Sequence, residues 1–187
     1  MTVTSDRYAQ LADRFGAVVD SLTPTDWGAA SPCEGWAASD VLDHVMSTQR
    51  DFLAQHGVDA GSSIPATVDP AQAWHAHDRH LRELLADPAV ADLEYDGVFG
   101  RSTIGAAITT FYGFDLIVHR WDLAQSAGHD EILDAAELDT IERSADGFGE
   151  HLYGEGVCKS AVDVPDGAER QAKVLARLGR RSGVPAA

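Results

Sequence analysis

The sequence predicts an all-α fold, a bundle of roughly five or six helices forming one domain over residues 1–187. Three observations carry this. Apolar residues recur at steps of three and four through several long segments, which gathers them on one helical face. The stretches between those segments carry Gly, Pro and Ser, which break helices. Strand-like alternation is confined to one short run, Leu93–Phe99.

The first helix is predicted from Tyr8, Leu11, Phe15, Val18, Val19 and Leu22, with Thr4 or Ser5 as its cap and Pro24 just past its end. Thr23–Ser39 holds two prolines, two glycines and two tryptophans and reads as a loop with apolar anchors. A second helix over Ser39–His56 turns Val41, Leu42, Val45, Phe52 and Leu53 inward and stops at Gly57. Residues 57–69 are small and irregular. Asp69 then caps a third helix with Pro70 in its first turn, running to Ala86. Asp87–Ser102 is a long connection with a brief hairpin. The fourth and longest helix, Thr103–Ala127, is also the most apolar, and Gly128 ends it. A fifth covers Asp134–Phe148, and a short last helix covers Ala168–Leu178.

Composition narrows function. Thirty acidic residues against 14 basic ones give a net charge of −16. That charge repels phosphate backbones, so nucleic acid is excluded as a partner and cations are weakly favoured. No run approaches the roughly 20 apolar residues of a membrane span, and Met1–Asp6 has no basic-then-apolar signal pattern, so the expected location is cytoplasmic. Cys33 and Cys158 form no CxxC pair and read as two reduced, largely buried thiols. The expected partner is a small molecule, with a homodimer as the one macromolecular assembly considered.

The fourth helix carries the residues of chemical interest. Asp115 and His119 lie four apart on one face, about 6 Å along the axis, among Phe111, Phe114, Leu116, Ile117 and Val118. A carboxylate and an imidazole in such surroundings are expensive to bury unless they pair with each other or bind a cation. Ligation needs a third donor from a facing helix. His44, beside the seam of Val41, Leu42 and Val45, is the candidate. Asp122, seven residues beyond Asp115, is either an outer-sphere acceptor that orients a ligand or a solvated acid near the helix end. His75, His77 and His80, amid Asp78, Arg79, Arg82 and Glu83, read as a surface cluster. The HExxH, GxSxG and GxxxxGK patterns are absent. Gly100–Gly105 reads as a helix N-terminus. No general acid is assigned; the expected direction of Tyr112 diverges from the ligand face.

Three blocks together resemble the mycothiol-dependent maleylpyruvate isomerase N-terminal domain family, within the DinB-like metal-binding bundles. They are Ser31-Pro-Cys-Glu-Gly-Trp36 followed by His44, Asp115-Leu-Ile-Val-His-Arg-Trp-Asp-Leu-Ala124, and Val164-Pro-Asp-Gly-Ala168 with Leu175-Ala-Arg-Leu-Gly-Arg180. The resemblance spans about residues 5–181 and implies a DinB-like four-helix bundle with additional short C-terminal helices. It implies metal ligands at His44, Asp115 and His119, with zinc as the expected ion and nickel or iron as alternatives. It also implies a low-molecular-weight thiol such as mycothiol, used to isomerise or conjugate a small electrophile. The separate C-terminal domain of the isomerase type is expected to be absent. Ala37 stands where relatives often place a capping Thr or Ser, a change worth about 1 kcal/mol at the start of the second helix. The rival readings are a non-catalytic metal- or small-molecule-binding bundle and an iron site for oxygen chemistry.

Overall fold

The computed structural model describes residues 3–62, 67–98, 100–154 and 156–181. Among them the chain forms seven α-helices and one two-stranded hairpin: α1 (Val3–Ser21), α2 (Ala38–Gln55), α3 (Pro70–Ala86), α4 (Pro88–Ala91), β1 (Glu94–Gly97), β2 (Gly100–Thr103), α5 (Ile104–Ser126), α6 (Ala135–Phe148) and α7 (Arg170–Arg177). The fold is all-α and DinB-like, as the periodicity and the resemblance predict. Short 3-10 turns at Asp26–Gly28 and Gly149–Tyr153 bridge the helices. None of the described helices is long and apolar enough to cross a membrane.

Local chemistry sets most of the boundaries. The Asp69, Asp87, Thr103 and Asp134 side chains each accept a backbone N–H from the first turn of the helix they precede. At α6 the cap is reciprocal, since Glu137 accepts from the Asp134 backbone N–H at 2.9 Å. Ala37 offers no side-chain cap, but its backbone N–H donates to Asp40 at 2.8 Å, so half of a capping box survives. α2 and α5 end at Gly57 and Gly128, as expected. Three expectations shift. α1 begins at Val3, so Thr4 and Ser5 lie inside its first turn rather than capping it. The single turn α4 was not foreseen; Asp87 and Pro88 create it, and it is too short to show periodicity. The hairpin pairs Glu94 with Thr103 through Gly97 with Gly100, and Phe99, the end of the expected alternation, lies outside the described residues.

α5 is the central element, packed against α1, α2 and α6, while α1 also packs against α3. Its apolar character runs all round, which suits a helix enclosed by neighbours. Gly113 permits the close approach of α1: a Cβ there would sit 2.9 Å from Leu11 Cδ1. Trp74, Trp121, Tyr8, Phe15, Leu42 and Ile108 are among the largest fully enclosed side chains.

The histidines of α3 separate by face. His75 pairs with Asp20 and His80 reaches the Asp59 carbonyl, both at the surface. His77 corrects the surface reading: it is buried, with Nε2 2.8 Å from Gln49 Oε1. It shares the inward face with Trp74 and Leu81, and that spacing outweighs its charged neighbours in sequence. Burial, then the nearby positive charge of Arg50, pulls its pKa down to about 3 from an ordinary 6.5.

Because the folded pKa of His77 is depressed, the unfolded chain binds more protons between about pH 3 and pH 6.5. Its contribution to stability is therefore full above pH 6.5 and falls as the pH drops through that window. Urea unfolding at pH 7 and pH 5 should show wild type losing up to about 2 kcal/mol more than His77→Gln across that step. Equal losses would mean that His77 does not titrate as its burial requires.

Candidate metal centre

His44 comes from the second turn of α2, and Asp115 and His119 come from one face of α5. The packing of α2 against α5 brings the three together: one ligand atom from each lies within 4.8 Å of the others. The His44 and His119 rings meet edge-on at 5.1 Å between centroids, and the Trp36 ring lies 5.0 Å from that of His44. His44 and Asp115 are half-buried and His119 is buried.

Asp115 and His119 do not hydrogen-bond to each other. His119 Nδ1 instead pairs with Asp122 Oδ2 at 2.9 Å. Asp122 is wholly buried on α5. Burial alone would raise its pKa, but the Arg180 guanidinium and the His119 N–H hold it well below the usual carboxylate range. As an ionised acceptor it requires the proton on Nδ1, which leaves Nε2 as the ring's remaining donor of a lone pair. Of the two readings of Asp122, the orienting acceptor is the one observed.

Arg180 supplies the countercharge. Its Nε and Nη2 donate to the two oxygens of Asp122 at 2.9 and 2.7 Å, and it is only 7% exposed. The turn after α7 delivers it. The Arg180 N–H bonds the Leu175 carbonyl and the Gly179 N–H bonds the Ala176 carbonyl, the pairing of a Schellman cap. Gly179 has φ +81°, and a Cβ there would lie 2.6 Å from that of Lys159, so glycine is required twice over. Leu-Gly-Arg180 in the third sequence block is this cap, a role no local pattern revealed.

The loop between α1 and α2 closes the other side. Gly35 and the bond from Trp36 N–H to the Cys33 carbonyl form a tight turn. This turn directs Cys33 Sγ to Asp122 at 3.4 Å, with Arg180 Nη2 3.6 Å from the same sulfur. Both cysteines are free and half-buried, in line with two reduced thiols, but their position at the site was not anticipated. Burial, reinforced by Asp122, pushes the Cys33 pKa up to about 12; burial also raises that of Cys158. Both thiols are therefore protonated at neutral pH.

Cys33, His119 and Asp122 also approach within 4.8 Å of one another. There Asp122 is already engaged by Arg180, whose positive charge opposes a second cation. His44 and Asp115 have no side-chain hydrogen bond among the described residues, so their lone pairs are uncommitted. Burial, then His119 and Arg180, lowers the His44 pKa to about 4, so its imidazole is neutral at neutral pH. Burial raises the Asp115 pKa, so its ionised form is the one a nearby positive charge would stabilise. The residues fit a divalent ion of the two-histidine, one-carboxylate type.

Two cavities meet at His44 and His119. One of about 480 Å³ has mixed walls, with Cys33, Glu34, Lys159, Ser160 and Arg180 beside Trp36 and Tyr153. The other, about 170 Å³, lies on the Asp115 side, where Phe111, Tyr112, Phe114 and Phe148 are joined by Thr48, Cys158 and Arg180, so Tyr112 is among the residues that line it.

Replacing Arg180 by Met should leave Asp122 as an unpaired buried charge and destabilise the fold by about 3–5 kcal/mol. Adding Asp122→Asn should recover a large part of that loss in urea unfolding. Additive losses would show that the pair is not coupled.

The family described as Mycothiol maleylpyruvate isomerase N-terminal domain matches residues 8–124, more than half of the chain, including His44, Asp115, His119 and Asp122 but not Arg180. Two uncharacterized proteins of Mycobacterium tuberculosis, from different strains, are each 32% identical over 140 residues, covering 71% of this chain and 71% of theirs. No solved structure matches significantly. On the geometry of the site and this match, the chain belongs to the mycothiol maleylpyruvate isomerase N-terminal domain family.

Proposed function

We propose that this protein is a divalent-metal-dependent enzyme that uses a low-molecular-weight thiol to transfer to, or isomerise, a small electrophile. The observation that carries the reading is the triad of His44, Asp115 and His119 at the junction of two cavities, with His119 oriented by Asp122. Zinc is the first expectation, with nickel or iron as alternatives. A divalent ion supplies Lewis acidity, lowering the pKa of a thiol or water beside it.

The chain's own residues define the rest. His44 and His119 would supply the nitrogen ligands, and Asp115 the negative charge. Burial and Asp122 push the pKa of the Cys33 thiol up to about 12, which works against it as the nucleophile. In this proposal the nucleophilic sulfur comes from a small thiol in solution, and the cleft of about 480 Å³ offers room for a hydrophilic thiol of mycothiol type. Lys159 and Ser160 on its wall offer donors to hydroxyl or carboxylate groups of such a molecule.

Elemental analysis of protein purified without a histidine tag should find about one zinc per chain, lost in His44→Ala and in His119→Ala. Asp122→Asn should keep the site but weaken metal affinity by about 10- to 100-fold, because His119 loses its orienting acceptor. Thiol-dependent consumption of an electrophile should then stop on chelation and return with zinc. Metal without turnover would favour a binding module, and absence of metal after reconstitution would overturn the reading.

A further inference from the structure

The cavity of about 170 Å³ differs in character from the cleft it joins. Its walls include Phe111, Tyr112, Phe114 and Val118 from α5, Phe148 from the end of α6, and Val157 from the following loop. The rings are ordered against one another. Phe148 stands edge-on to Phe111 at 5.2 Å and to Phe114 at 5.4 Å, and Phe111 lies 5.5 Å from Tyr112. Such contacts fix ring orientation and give the recess one aromatic side. Phe111 is 40% exposed at its rim, an apolar surface not absorbed by the core.

We propose that this recess receives a single aromatic ring, or a branched alkyl group of that size, belonging to the electrophile. The inference rests on the function proposed above and names its substrate class: small molecules with one apolar ring and a reactive carbon next to it. Size supports it, because apolar cavities of about 150 Å³ stay dry and bind benzene. Position supports it too. His44, Asp115 and His119, together with Thr48, Cys158 and Arg180, make up the polar part of the recess, so a ring seated among the phenylalanines presents its substituent to that side. The hydrophilic partner enters from the other side, through the larger cleft that shares His44 and His119.

Fluorobenzene is the probe, titrated into zinc-loaded and metal-free protein and followed by fluorine NMR. It should bind both forms. Val157→Trp, on a half-exposed loop position, should fill the recess and weaken binding by at least about tenfold. Phe111→Ala should remove one wall and weaken it by about three- to tenfold. Zinc content should stay unchanged in both variants. Ring binding that is absent from the wild type, or unaffected by both substitutions, would overturn the pocket while leaving the metal reading intact. Ring binding in a protein that never takes up metal would leave the pocket standing and remove the function proposed for the triad.

Discussion

Asp122 is a carboxylate with no exposed surface, in the last turns of the longest helix, where an isolated charge would be untenable. It is tolerated because Arg180 and His119 both donate to it, and because Cys33 caps the remaining approach. Much of the architecture follows from meeting that demand. α7 must end in a left-handed glycine so that Arg180 can turn inward. The loop before α2 must make a tight turn so that Cys33 reaches the same acid. Closing the last segment of the described chain onto α5 and setting the tautomer of His119 are therefore one event. Another ion pair is buried, Arg120 with Glu137 between α5 and α6, whereas Arg101 with Glu94 and Arg170 with Asp139 and Glu142 are exposed, in the class that contributes little.

Helices with one apolar stripe and a recognisable cap were legible in the sequence. α1, α2, α3, α5, α6 and α7 lie where periodicity and the Asp, Pro and Gly punctuation place them, within a few residues. What was not legible shares a physical cause: it depends on contacts between residues remote in the chain, or on segments too short to repeat. α4 is a single turn. His77 was hidden by charged neighbours, although its spacing from Trp74 and Leu81 reports the buried face. Arg180 lies 58 residues from the acid it neutralises, and no window of sequence contains both. The convergence of Cys33 and Cys158 on one cleft is invisible for the same reason.

The candidate ligands were legible in a more limited sense. The spacing of Asp115 and His119 placed them on one face but was equally compatible with their pairing. A third group decides the matter. His119 has an acid one turn before it and another nearly one turn after it, and either could take its N–H. Arg180 ionises Asp122 and fixes it in place, so the later acid wins. Asp115 is left beside the His119 ring without a side-chain hydrogen bond among the described residues.

That asymmetry gives the two carboxylates different work. Asp122 has its charge matched by Arg180 inside the protein, so it can orient a ring without drawing in a further cation. Asp115 has its charge raised in energy by burial and receives no side-chain hydrogen bond among the described residues, so it is the acid a cation would stabilise most. With two imidazole nitrogens and one carboxylate as ligands, the triad would bring a single negative charge to a divalent ion. The assembled centre would retain one positive charge, which would favour a thiolate over a neutral thiol beside it. The same arithmetic disfavours a second carboxylate ligand, since it would leave the centre neutral and reduce that pull. Two histidines and one acid, with the other acid held by arginine, are thus the charge arrangement that the proposed thiol chemistry requires.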